Sequence, residues 1–275
     1  MKTWFVTGAS KGLGLTMVKK LLTTGYNVAA TTRNLKELRR AVGEASGFLP
    51  LAVDLVDENS VGKAIDETIK KFGSIDVIAN NAGYGLAGSL EELSDAEARA
   101  NFDVNVFGSL NVIRKAMPYL RKQGSGHIFN IASVGGFTGA FPGFGIYCAT
   151  KFAMHGFSES LAAEVKQFGI NVTIVSPGYF RTNFLEKDSL QVPKHEISDY
   201  KSVRESQALH QNNINGKQQG DPEKAIDVII KVAEAGKPLT HLFLGSDAYN
   251  FAAQKIDAVT KDMEEVRTLA TSTDF

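Results

Sequence analysis

The sequence predicts an α/β protein built on a doubly wound parallel sheet with helices on both faces. Two observations carry that prediction. Short β-rich apolar runs alternate with longer helical patterns along the 275 residues. The runs are nearly continuous in apolar side chains, as strands covered on both faces require. The right-handed crossover preference then leaves a doubly wound topology of about seven strands.

Taken in order, Trp4–Thr7 reads as the first strand, and Gly12–Thr24 as a helix with Leu13, Met17, Leu21 and Leu22 on one side. Asn27–Thr32 and Phe48–Val53 are the next strands. Glu58–Phe72 is helical, leading to a strand at Asp76–Ala79. Asp95–Lys122 is one long helix or two joined ones. His127–Ile131 is a fifth strand, Gly145–Phe168 a long helix and Asn171–Val175 a sixth strand. Pro222–Ala235 is helical, His241–Leu244 is the last strand, and a closing helix runs from Asp247 to about Leu269. Phe184–Gly220 breaks the rhythm: it is polar and weakly patterned, and a long irregular stretch in a compact fold is usually a functional lid. A surface insertion with no role is the alternative. No Pro- or Ser-rich linker divides the chain, so residues 1–275 are expected to form one domain.

Composition removes several classes of function. The 30 basic and 30 acidic residues balance and leave no basic stripe for a nucleic-acid backbone. The single cysteine, Cys148, excludes an internal disulfide and cysteine-based zinc spacings. The five histidines, at 127, 155, 195, 210 and 241, show no metal-ligand spacing, so no metal is expected. No apolar stretch approaches the roughly 18 to 20 residues that span a bilayer. The N-terminus reads as a strand entering a turn, not as a signal peptide. A soluble, cytoplasmic protein is the expectation.

Chemistry begins at Thr7-Gly8-Ala9-Ser10-Lys11-Gly12-Leu13-Gly14, between the first strand and the first helix. Glycine permits the turn and removes a Cβ where a pyrophosphate must approach, and the helix N-terminus offers N–H groups to phosphate. The spacing is Gly-x-x-x-Gly-x-Gly. With Thr7 before it, and with the motifs below following in order, the chain resembles the short-chain dehydrogenase/reductase family from Thr3 to about Gly245. The resemblance implies a Rossmann-type fold and a nicotinamide cofactor held by Gly8, Ser10, Lys11, Gly12, Leu13 and Gly14. At the end of the second strand, Thr32 holds the place where an acid would take the ribose hydroxyls of NAD, and Arg33 follows. Arg33 can grip a 2′-phosphate bidentately, with Lys11 facing the same corner, so NADP(H) is the expected cofactor. The resemblance further places Asp54 at the adenine amino group and Leu55 beside the ring. It also sets Asn81, Ala82 and Gly83 of Asn80-Asn81-Ala82-Gly83 along the cofactor.

Tyr147 and Lys151 lie four apart on a helix and share a face. A free tyrosine has a pKa of about 10, and a neighbouring cation favours the phenolate. Such a tyrosine can protonate a carbonyl oxygen as hydride arrives, or deprotonate an alcohol in reverse. The family resemblance adds Ser133 as the hydrogen-bond partner of the substrate oxygen, and Asn105 as the holder of a water that relays protons to the lysine. It also implies that Pro177, Gly178 and Thr182 bind the nicotinamide carboxamide.

Together these residues predict an NADP(H)-dependent oxidoreductase that interconverts a carbonyl and an alcohol. The alternative is a catalytically silent NADP(H)-binding sensor or scaffold of the same fold. The expected pocket walls are Gly135–Phe144 and the stretch after Phe184, with Phe137, Phe141, Phe144, Tyr179 and Phe184 suggesting a hydrophobic guest. His195 and His210 are expected at the surface. The end of the chain resembles bacterial relatives of retinol and 17β-hydroxysteroid dehydrogenases. By the same resemblance, helices around 95–122 and 145–168 are candidate faces of a homodimer or homotetramer.

Overall fold

The sheet grows outward from its first strand. The structure, a computed structural model, describes residues 1–237 and 239–275. β1 (Thr3–Val6) pairs in parallel with β2 (Asn27–Thr32) on one side and β4 (Val77–Asn80) on the other. β3 (Phe48–Ala52) extends the first side, and β6 (Gly126–Ile131), β7 (Ile170–Pro177) and β9 (His241–Leu244) extend the second. The order is β3-β2-β1-β4-β6-β7-β9, all parallel, which is the seven-stranded doubly wound sheet expected. Its direction of growth reverses between β1 and β4, so a crevice opens at their carboxyl ends.

Alternation along the strands feeds two cores. Trp4 and Val6 point to one side and pack with Met17, Leu21, Ile226 and Ile229 of α1 (Gly12–Thr23) and α8 (Pro222–Glu234). Phe5 and Ile78 point to the other side. There they meet Ile65 of α3 (Glu58–Phe72), Val112 of α5 (Gly108–Gln123) and Leu161 of α6 (Gly145–Val165). The caps are written locally. Asp57 and Asp221 accept N–H bonds at the starts of α3 and α8, and Ser94 and Glu97 form a reciprocal capping box on α4 (Asp95–Phe102). A π-helical turn at Asp103–Phe107 joins α4 to α5, so the 95–122 stretch is two helices with a bulge between them.

Two expectations change. A short helix, α2 (Leu35–Val42), stands where none is predicted. Leu35, Leu38 and Val42 fall at helical spacing, but the helix spans only eight residues, four of them charged, in the connection between two strands. The stretch 184–220 is not irregular. It contains β8 (Leu190–Gln191), paired in parallel with β5 (Gly85–Leu86), then α7 (Lys201–Ala208) and a π-helical turn at Leu209–Ile214. Its order depends on a buried carboxylate far upstream. Glu92 accepts from the Ile197 and Ser89 N–H groups at 2.7 Å each, and Arg204 donates to both its oxygens at 2.7 Å. Gln207 adds a bond to the Ala87 carbonyl at 3.0 Å. Burial pushes the Glu92 pKa up, but these N–H bonds and the Arg204 charge outweigh it and hold the carboxyl below its usual range.

No helix among the described residues is long and apolar enough to cross a membrane.

Glu92→Ala removes one of the two carboxylates on the Arg204 guanidinium, leaving Glu196, and strips the Ile197 and Ser89 N–H groups of their acceptor; it is expected to cost about 3 kcal/mol of stability. The first protease cuts should then fall within 184–220, and a cleavage map identical to wild type refutes the anchoring role. Because the folded carboxyl is depressed, its stabilisation is present above the unfolded pKa and is lost as pH falls through the folded value.

Candidate active site

Backbone geometry at the switch point comes first. Gly8 and Gly12 adopt positive φ angles of 64° and 56°, where side chains are strained. At Gly14 a Cβ would lie 2.4 Å from the Gly8 carbonyl oxygen and 2.5 Å from the Asn81 amide. The spacing Gly-x-x-x-Gly-x-Gly is therefore two turn positions and one close approach. Thr7 Oγ1 accepts from the Asn81 and Ala82 N–H groups at 3.0 Å each. In return, Asn81 Nδ2 donates to the Thr7 and Gly8 carbonyls at 2.9 and 3.1 Å. These bonds clamp the loop after β1 to the loop after β4. No side chain caps the N-terminus of α1, whereas Asn34 caps α2 and Asp57 caps α3. The first N–H groups of α1 are thus available to an anion, as a pyrophosphate site needs.

A cleft of about 960 Å³ runs from this loop across the sheet's carboxyl edge. Gly8, Ser10, Lys11, Gly12, Leu13, Arg33, Asp54, Leu55, Asn81, Ala82, Gly83, Pro177, Gly178 and Thr182 all line it; Gly14 lies behind the loop wall. Thr32 is buried, and its Oγ1 accepts from the Asn34 N–H at 3.1 Å. Glu37 of α2 also lines this end, a carboxylate that went unseen because its helix did. Lys11 Nζ reaches the Asp188 carbonyl at 3.1 Å, so it links the glycine loop to the 184–220 stretch.

Ser133, Tyr147 and Lys151 converge midway along the cleft. α6 carries Tyr147 and Lys151 on one face, with Lys151 Nζ 5.9 Å from the Tyr147 ring centre. Lys151 Nζ donates to the Ile131 carbonyl at 2.9 Å and lies 3.5 Å from Met154 Sδ, which leaves one N–H group for the cleft. Ser133 Oγ accepts from the Gly135 N–H at 3.0 Å and lies within hydrogen-bond reach of the Tyr147 phenol. Asn105 sits in the π-helical turn, fully buried. It accepts from the Tyr84 N–H at 3.0 Å, and donates to the Tyr84 carbonyl at 3.0 Å and to Thr150 Oγ1 at 3.1 Å. A Cβ at Gly83 would be 3.0 Å from Asn105 Oδ1 and 3.5 Å from Lys151 Nζ, so both side chains flank one small gap.

The electrostatics differ from the spacing argument. Burial pushes the Tyr147 phenol above its ordinary value, and the Ser133 hydrogen bond pulls it partly back. Burial also lowers Lys151, to about 8. The shared helix face is as expected, but desolvation dominates the phenol, so its resident form near neutrality is the neutral proton donor.

At the far end the walls are Phe141, Phe144, Tyr179, Phe184, Leu185 and His210. Phe137 is not among them: it packs edge-on against Phe243 at 5.3 Å, outside the cleft. His195 is exposed as expected, but His210 is buried. Its Nδ1 lies 2.7 Å from the Ser206 carbonyl, which can only accept, so Nδ1 carries the proton. Nε2 then accepts from the Tyr179 hydroxyl at 2.9 Å. The fold also gathers His155, Glu159 and His241, with ligand atoms within 4.8 Å of one another. His155 already bonds Ser176 Oγ at 3.0 Å, which leaves Glu159 and His241 as an exposed pair at 3.7 Å.

The family model for short chain dehydrogenases matches residues 2–192. A short-chain dehydrogenase from Streptomyces avermitilis is 34% identical, with a TM-score of 0.91 over 100% of both chains, the closing helix included. A 3-ketoacyl-(acyl-carrier-protein) reductase from Brucella melitensis, solved with NADH, is 25% identical over 88% of this chain and 96% of its own, with a TM-score of 0.74. ElxO, solved with NADP bound, is 27% identical over 90% of this chain and 99% of its own, with a TM-score of 0.74.

Asn81→Ala removes the amide that donates to both clamp carbonyls, of Thr7 and Gly8, and is expected to cost about 1–3 kcal/mol in denaturant unfolding. An unchanged midpoint would show that the clamp contributes nothing.

Proposed function

The chain belongs to the short chain dehydrogenase family, and from that premise we propose that it reduces a carbonyl to an alcohol, reversibly, with NADP(H) and with Tyr147 as acid and base. The observation that carries this reading is the convergence of Ser133, Tyr147 and Lys151 on one cleft whose other end is the glycine loop. When bound, the reduced cofactor supplies the hydride. Gly8, Ser10, Gly12, Leu13 and the first N–H groups of α1 would hold its pyrophosphate, with Gly14 giving the close backbone approach. Asp54, Leu55, Asn81, Ala82 and Gly83 would border it, and Pro177, Gly178 and Thr182 would fix its far ring.

In reduction, Ser133 Oγ and the Tyr147 hydroxyl would both hydrogen-bond the carbonyl oxygen. The neutral phenol gives up its proton as negative charge develops there. The resulting phenolate is stabilised by the Lys151 ammonium and reprotonated along the Lys151 and Asn105 side of the site. Asn105 serves that route by holding the gap beside Gly83 open and polar.

The NADP(H) preference rests on Lys11 and Arg33 at the cleft's end and on the buried, uncharged Thr32. The carboxylates of Glu37 and Asp54 also line the cleft and oppose it. The substrate would be an apolar carbonyl compound seated on Phe141, Phe144 and Phe184, beneath the 184–220 stretch acting as a lid. The hydrogen-bonded Tyr179–His210 pair leaves the phenol oxygen free to accept a bond from a hydroxyl on that substrate.

A panel of steroids, retinal, aliphatic aldehydes and acyl thioesters, read by NADPH oxidation, finds the substrate. With it, Tyr147→Phe is expected to lose about 10²-fold or more in kcat, and undiminished turnover overturns the mechanism. Arg33→Ala should weaken use of NADPH but not of NADH, and a wild-type preference for NADH would defeat the cofactor assignment. Reduction should proceed at full rate below about pH 8 and decline above it as Lys151 loses its proton. A rate that climbs through that range contradicts the role of the lysine.

A further inference from the structure

The closing helix leaves the body of the molecule without a partner. α9 (Ser246–Glu265) starts against the body, where Ala248 and Ala252 are buried and Phe251 packs on Phe141. From Ala253 to Phe275 every residue is exposed, through the short α10 (Arg267–Thr271). An isolated helix of this length is marginal in water, so such a projection needs a packing surface.

Its apolar residues are not scattered. Tyr249, Ala252, Ile256, Val259, Met263 and Val266 follow one another at alternating spacings of three and four, the a and d positions of a heptad repeat. Tyr249 is 63% exposed, Ile256 53% and Met263 66%, so the stripe faces water where the body does not cover it. A lipid surface is a poor occupant. Residues 253–275 hold three basic and five acidic side chains, and an interfacial helix on anionic lipid needs the reverse. The flanking charges instead fit a second copy. Lys255 and Asp262 occupy successive g positions on one edge of the stripe. A second helix running antiparallel, with Ile256 against the partner's Val259, sets each Lys255 opposite the partner's Asp262, twice by symmetry.

We propose that α9 is a self-association surface: two copies of this chain pair through an antiparallel seam of Ile256, Val259 and Met263. The seam lies apart from the 95–122 and 145–168 helix faces and from the active-site cleft.

The test is sedimentation of the full chain over a concentration series. Ile256→Glu with Met263→Glu should raise the dissociation constant of one association step by about a hundredfold or more, with NADPH turnover per chain and the thermal midpoint kept. Gln254→Glu with Thr268→Glu adds the same charge away from the seam and should sediment as wild type. Lys255→Asp should weaken the step several-fold, and adding Asp262→Lys should restore it. Identical masses for wild type and the seam variant at every concentration, monomers included, overturn the proposal. So does equal weakening by the Gln254 and Thr268 variant, and failure of the charge exchange to restore binding overturns the antiparallel arrangement.

Discussion

The clamp between Thr7 and Asn81 is the constraint on which the functional end of the molecule rests. A parallel sheet fixes where strands end but not how the loops beyond them sit. β1 and β4 carry the two loops that meet at the switch point; beyond the Thr7 N–H bond to the Ala79 carbonyl, side-chain bonds hold those loops together. Thr7 supplies an acceptor for two N–H groups, and Asn81 supplies donors for two carbonyls. All are partly buried, so each would carry a desolvation cost if left unpaired. The Asn81 amide and the Gly8 carbonyl can sit there only because Gly14 has no Cβ to fill the place. The uncapped start of α1 then faces the cleft, and the reacting residues are reached across it.

Desolvation shapes the residues that converge midway along the cleft. Tyr147 and Lys151 are both pushed toward their neutral forms by burial. That leaves the phenol holding its proton while the amine sits near the boundary of its charged range. Such a pair is poised to deliver a proton rather than to take one. Ser133 moderates the phenol, pulling it partly back toward its ordinary value.

Much of this was legible in the sequence, and the limits have physical causes. The strands announced themselves because each is covered on both faces and therefore continuously apolar. The glycine loop, Ser133, Tyr147 and Lys151 sit in local motifs, so their convergence needed only the parallel topology. α2 was missed because it is only eight residues long and half of it is charged, too short a window for its Leu35, Leu38 and Val42 spacing to stand out. The 184–220 stretch looked irregular because its order is held by Glu92, about a hundred residues upstream in the chain. His210 looked like a surface residue for the same reason: its burial depends on Tyr179 and Phe144, which no local pattern connects to it. Phe137 was misplaced because its partner, Phe243, lies on the last strand.

The way the 184–220 stretch joins the body has a consequence for how such a protein can diversify. Its two ends are clasped together: Phe180 and Gly220 form a bridge, with Arg181 N–H bonded to the Gly220 carbonyl at 2.9 Å and Gly220 N–H to the Tyr179 carbonyl at 3.0 Å. An excursion that leaves and re-enters at one point behaves as an interchangeable cassette. Lengthening it adds only a small closure entropy, which grows slowly with length. The sheet, the clamp and the reacting tyrosine lie outside the clasp. The part of the cleft wall that this piece supplies, Phe184 and Leu185 among it, can therefore change by exchanging one contiguous piece of gene, while Phe141, Phe144 and the sheet stay as they are.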